Sequence, residues 1–162
     1  MIADRFQPLH PAALSAPALA LLDRGYCILR GAMSAGRIEA MSRALDGRFR
    51  RTPFCVGDFH GPRTKRFHRL LARLPGAADL AIEPQVLALV RTALGRWCDF
   101  PEINLTQGVE VHPGAPAQIP HTDQAMWPAP KGAMELCLNV MWPLGPFTAA
   151  NGGTRVWPDT HH

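Results

Sequence analysis

No apolar run in this chain approaches the roughly 20 residues that a membrane-spanning helix needs, so a membrane span is not expected. Residues 1–11 lack a basic stretch followed by an apolar one. Residues 11–22 are rich in Ala and Leu but contain Pro17 and have no basic lead-in. A secretory leader is therefore not indicated, and the cytoplasm is the default location. The four cysteines, Cys27, Cys55, Cys98 and Cys137, are far apart and form no C-x-x-C pair, which argues against a zinc knuckle. A reducing compartment would argue against disulfides as well. Cys27 and Cys137 lie in apolar runs and read as buried small hydrophobes. Internal repeats and low-complexity linkers are absent too.

What is present suits one globular, soluble domain. The 162 residues are 47% hydrophobic and 19% charged, enough to bury a core. The net charge of +4 is modest. Its basic residues gather in Arg48, Arg50, Arg51, Arg63, Lys65, Arg66, Arg69 and Arg73. A solvated helix face is the plain reading of such a cluster, and an anionic ligand or a nucleic acid is the sharper one. No aromatic interleaving or nucleic-acid motif accompanies it, so neither a nucleic acid nor a membrane is an expected partner.

The first two-thirds of the chain read as mainly helical. Residues 14–24 form a short helix closed by Gly25, and residues 26–29 are a short strand candidate. Ser34 is a suitable N-cap for a helix that puts Ile38, Met41, Leu45 and Phe49 on one face. Residues 52–62 read as a loop. Phe67, Leu70, Leu71 and Leu74 recur at helical spacing, which predicts a helix over 64–74, ended by Pro75-Gly76. Pro84 opens another helix, with Val86, Leu87, Val90 and Leu94 inward and Gly95 as its stop.

The character changes near Asp99, where prolines, glycines and β-formers take over. Residues 104–112, 117–123, 135–142 and 154–157 are strand candidates. Turns at Pro113-Gly114, residues 128–132 and Asn151-Gly152-Gly153 separate them. Helices feeding antiparallel strands predict an α+β fold with a β-sandwich or barrel core. One domain is expected over 1–162, with a mainly helical support region (1–98) and the first part of the β core (99–162). Four strands fall short of the eight in a jelly roll. The expectation is that the chain is the front part of a longer protein.

The chemistry centres on His121-Thr122-Asp123, in the string Q-I-P-H-T-D-Q. On an extended strand, residues two apart share a side. A histidine and a carboxylate so placed can hold one metal ion together. Two histidines and a carboxylate on one face are the usual donors of non-haem Fe(II), with the other positions open.

Four stretches carry a family resemblance: D-R-G-Y-C-I-L-R-G-A-M-S, V-H-P-G-A-P-A-Q-I-P-H-T-D-Q, L-N-V-M-W-P-L and N-G-G-T-R-V-W-P-D-T-H-H. In this order, over residues 23–162, they resemble the phytanoyl-CoA dioxygenase family of Fe(II)- and 2-oxoglutarate-dependent oxygenases. The resemblance implies a double-stranded β-helix (jelly roll, cupin-like) packed by N-terminal helices, its C-terminal strands missing here. It implies His121 and Asp123 as iron ligands, with Gln118 and Thr154 beside 2-oxoglutarate. With O₂ as the second co-substrate, such an enzyme hydroxylates an unactivated C–H bond of a small-molecule substrate.

The sequence departs from the family pattern in two respects. The family's distal histidine and the arginine that clamps 2-oxoglutarate have no counterpart in the chain, so weak iron binding and little turnover are expected of it alone. Pro158-Asp159-Thr160-His161 stands where the family has Pro-Gly-Ser-His. His161 aligns with the turn histidine, which is not a ligand, and His162 is no better placed. His112 precedes a Pro-Gly turn and reads as exposed, while His60 and His68 read as residues of the helical part. Trp127 and Trp142 flank the motif and read as core or as pocket wall. The alternative function is a non-catalytic jelly-roll module that binds a small molecule.

Overall fold

A computed structural model describes residues 14–130 and 132–161. The readings made for residues 1–13 and for His162 lie outside the described residues. The chain runs α1 (Ala16–Arg24), α2 (Ala35–Arg51), β1 (Thr64–His68), α3 (Leu70–Arg73), α4 (Ala77–Ala81), α5 (Pro84–Leu94) and β2 (Gln107–Val111). A 3-10 turn follows at Asp123–Met126. The architecture is α+β, with β1 and β2 forming a two-stranded antiparallel sheet.

Local chemistry sets the helix ends. Ser15 and Ser34 accept from the backbone N–H groups of Ala18 and Arg37, satisfying first-turn donors of α1 and α2. Gly25 closes α1 at φ 77°, a conformation that costs glycine little. Glu83 caps α5 through the N–H of Val86 at 2.9 Å. In α2, Met41, Leu45 and Phe49 of the predicted stripe are buried at four-residue intervals, while Ile38 is half-buried. In α5 the inward face is rotated from the expected one. Val86 and Leu89 are buried, while Leu87, Val90 and Leu94 are half-buried.

The expected helix over 64–74 is a strand, a left-handed residue and one helical turn. Arg69 takes φ 66° between β1 and α3. The backbone N–H of Arg69 donates to the Thr106 carbonyl, and that of Leu70 to the Thr106 hydroxyl. Pairing with β2 outweighs the helical spacing of the leucines because it satisfies the whole ladder. The register sets Phe67 opposite Gly108. Phe67 packs edge-on against Phe49, with ring centroids 5.0 Å apart. α4 was not anticipated from the sequence.

Two apolar clusters result. Met41, Leu45, Phe49, Phe67, Leu74 and Ala77 form one, joining α2, the sheet and α4. Ala18, Leu21 and Leu89 form the other between α1 and α5, with Cys27 and Leu138 packed against it. All four cysteines are free and half-buried, so Cys27 and Cys137 are less enclosed than expected. Burial pushes the Cys27 thiol above its ordinary pKa.

Of the four strand candidates after Asp99, only the first contains a ladder strand, shortened to β2. Residues 117–122, 135–142 and 154–157 run without a ladder among the described residues, as do 26–29. A strand exists only where a neighbour offers matching donors and acceptors, and side chains fasten these segments instead. Ile119, Val140, Met141, Val156 and Trp157 stand exposed along them.

The segment after Trp157 returns to α1. Asp159 takes φ 61°, the conformation a glycine would adopt in that turn, and its N–H donates to the Arg24 carbonyl at 3.1 Å. Aspartate tolerates this region better than most residues, so the replacement of glycine here keeps a glycine-like turn. The His161 ring lies 3.1 Å from the Leu22 carbonyl, through Nε2.

A Cβ at Gly108 would sit 2.9 Å from the Phe67 ring. Gly108→Ala should therefore destabilise the fold by about 1–3 kcal/mol, measured as a lower urea midpoint with an unchanged slope. A variant as stable as the parent would refute the close packing.

Candidate metal centre

Thr122 is extended, at φ −114° and ψ 135°, and the chain then turns at Asp123. This brings His121 Nε2 to 3.6 Å from Asp123 Oδ1. Both side chains remain accessible, at 33% and 45%, so an ion could enter directly. Two donors each about 2.1 Å from a common ion, at right angles, would stand about 3.0 Å apart. A small closure would let the pair share one ion.

The neighbours leave the facing atoms free. His121 Nδ1 is 2.8 Å from the Ile119 carbonyl, which can only accept, so Nδ1 carries a proton and, in the neutral ring, Nε2 is the nitrogen with the lone pair. The Phe59 ring meets the imidazole edge-on, with centroids 4.9 Å apart. On the other side, Asn139 Nδ2 donates to Asp123 Oδ2 at 2.7 Å, leaving Oδ1 toward the histidine. Hydrogen-bonded partners of this kind orient metal ligands.

Gln124 binds the 3-10 turn to the segment that carries Asn139. Its amide donates to the Met134 carbonyl at 2.7 Å, and its side-chain oxygen accepts from the Leu136 N–H at 3.0 Å. Cys137 lies two residues before Asn139. Its thiol is pushed above its ordinary pKa by burial first, then by the charges of Asp123 and Glu135.

The other expected site residues make contacts of their own rather than with the pair. Gln118 donates its amide to the Phe59 carbonyl at 2.8 Å, which ties the 52–62 loop to the motif. The Thr154 hydroxyl donates to Met141 Sδ at 3.2 Å, two residues along from Asn139. Trp127 and Trp142 are half-buried.

No third donor joins the pair: no group of three or more His, Cys, Asp or Glu able to hold a metal occurs among the described residues. His161 sits at the end of α1. His112, expected to be exposed, is half-buried with Nε2 2.7 Å from Glu110 Oε2 and its ring edge-on to Phe54. His60 lies in the loop and His68 ends β1, so neither is on a helix.

Asn139 and Phe59 were missed in the sequence. The one amide in the run L-C-L-N-V-M-W was a usable signal for Asn139. Nothing local marks Phe59, whose contact comes from a loop more than fifty residues away.

A histidine and a carboxylate with free facing donors, each oriented by a hydrogen bond, define an α+β protein with a two-donor candidate metal centre. The chain belongs to the phytanoyl-CoA dioxygenase (PhyH) family, which matches residues 21–162. It is similar to the multifunctional dioxygenase prhA of Penicillium brasilianum, 30% identical over 99% of this chain and 57% of that protein. It is also similar to the dioxygenase aneA of Aspergillus aculeatus, 27% identical over 87% of this chain and 51% of that protein. The multifunctional dioxygenase ausE of Aspergillus calidoustus is 34% identical over 61% of this chain and 36% of that protein. The chain thus spans about half the length of the first two relatives.

Asn139→Ala should weaken divalent-metal binding roughly tenfold or more while leaving the melting temperature of the metal-free protein close to the parent's. Paramagnetic broadening of the His121 ring signals by Mn(II) reads even a weak site. Equal broadening in parent and variant would show that Asn139 does not orient Asp123. Cys137 should react with a thiol reagent at pH 8 several-fold more slowly than free cysteine, since only the thiolate attacks. Mass-spectrometric labelling rates check this.

Proposed function

We propose that this chain carries the iron-binding part of an Fe(II)- and 2-oxoglutarate-dependent oxygenase that hydroxylates an unactivated C–H bond of a small-molecule metabolite. The observation that carries the reading is the 3.6 Å approach of His121 Nε2 to Asp123 Oδ1, in a member of a family named for dioxygenase activity. The donor set, a neutral imidazole and a hard carboxylate, suits Fe(II).

Bound iron, with 2-oxoglutarate and O₂, supplies the oxidising chemistry. The chain's own residues bind and orient. His121 presents Nε2 because Ile119 holds the opposite nitrogen. Asp123 presents one oxygen because Asn139 holds the other. Gln118 has a second amide N–H to offer a co-substrate carboxylate without adding charge, and Thr154 has a hydroxyl. In this reading the extended segments 117–122, 135–142 and 154–157 are jelly-roll strands. Their partners, a third ligand and a carboxylate-binding arginine would come from residues outside these 162, in keeping with relatives about twice as long. Four free thiols suit a cytoplasmic setting. The partner is a small molecule rather than a nucleic acid or membrane.

Two measurements test the proposal. The 162-residue chain should release little or no succinate from 2-oxoglutarate, and robust turnover would overturn the incomplete-site reading. In a full-length parent, His121→Ala should reduce 2-oxoglutarate-dependent succinate release to background. Retained activity would show that His121 is not a ligand. A parent inactive even with His121 intact would favour the alternative, a jelly-roll module that binds its small molecule without turnover.

A further inference from the structure

The arginine cluster is not absorbed by the metal centre, and the fold divides it. On α2, Arg43 pairs with Glu39, Arg50 lies 3.6 Å from Asp46, and Arg37 reaches Asp79 on α4 at 3.2 Å. Arg48, Arg51 and Arg73 have no carboxylate within ion-pair distance among the described residues. These three line one cleft of about 120 Å³, with Thr52 and the buried Phe67 as its other walls.

The end of α2 does not by itself account for them. Basic residues near a helix C-terminus ordinarily serve its unsatisfied carbonyls. Here the Phe49 carbonyl accepts from Lys65 Nζ at 2.8 Å and from the Thr52 N–H. The Arg48 carbonyl accepts from the Thr52 hydroxyl at 2.9 Å. Arg73 comes from α3, a separate element. Arg48 Nη2 donates to the Arg73 carbonyl at 2.8 Å, which joins the two sides of the cleft and fixes one guanidinium. Three cations held together with no anion among them repel one another, and an anion would relieve this. Guanidinium forks match tetrahedral oxyanions.

We propose that the cleft formed by Arg48, Arg51, Thr52 and Arg73 binds the terminal phosphate of a small phosphomonoester. The cleft has room for a phosphate group and opens to solvent, so the rest of such a molecule can extend out of it. The site shares no residue with the His121–Asp123 pair and stands independently of the proposed oxygenase chemistry.

The test titrates the 162-residue chain with inorganic phosphate and with AMP, each against sodium chloride at matched ionic strength. Calorimetry and the thermal midpoint are the readouts. Saturable binding of both, with a raised midpoint, is expected. The double variant Arg51→Ala/Arg73→Ala should weaken binding roughly tenfold or more, and Arg73→Glu should abolish it. The control Arg43→Ala/Arg50→Ala removes the same charge from the paired face of α2 and should bind as the parent does. A response matched by chloride, or an Arg51/Arg73 variant that stays folded by circular dichroism and binds unchanged, would overturn the site. Binding of phosphate with AMP excluded would overturn the phosphomonoester assignment.

Discussion

Phe67 lies across the sheet from Gly108, and its ring edge meets Phe49 on the last turns of α2. That contact is possible only because Gly108 has no Cβ, since an added carbon would come within 2.9 Å of the ring. It fixes three things together: the register of β1 on β2, the seating of α2 on the sheet, and the path of the chain into the second half. A one-residue slip would turn Phe67 to the opposite face and open the larger apolar cluster. Lys65, two residues before Phe67, reaches the α2 terminus from the same strand.

Beyond β2, backbone ladders give way to side-chain bonds. Gln124 joins the 3-10 turn to residues 134–136, Asn139 holds Asp123, and Gln118 holds the loop at Phe59. The candidate metal centre therefore rests on a few directional hydrogen bonds. Each is worth little alone when it exchanges with water. Together they give the histidine and carboxylate defined facing atoms. The surrounding apolar residues stay exposed, a disposition that suits strands still lacking neighbours in the proposed jelly roll.

Legibility in the sequence followed the range of the forces. Ser34 and Gly25 mark helix ends through contacts a few residues away, and those ends could be read directly, whereas the Ser15 cap fell inside the helix expected over 14–24. The 64–74 stretch misled because its leucines have helical spacing while its fate depends on β2, some forty residues later. Leu89 escaped notice because the orientation of α5 is set by α1, which packs against it. At the site, the spacing of His121 and Asp123 was visible as a pattern. Asn139 was visible only as an oddity, a lone amide in an apolar run.

The sequence by itself determined the Ser34 and Gly25 caps, the α2 stripe, the H-T-D spacing and the family, because each is carried by residues near one another or by ordered motifs. Only the tertiary structure decided that 64–68 is a strand, that Asn139 holds the Asp123 carboxylate, and that Arg48, Arg51 and Arg73 surround one cleft. These depend on segments far apart in the chain meeting in space, and local spacing carries no record of which partner a backbone or a side chain will find.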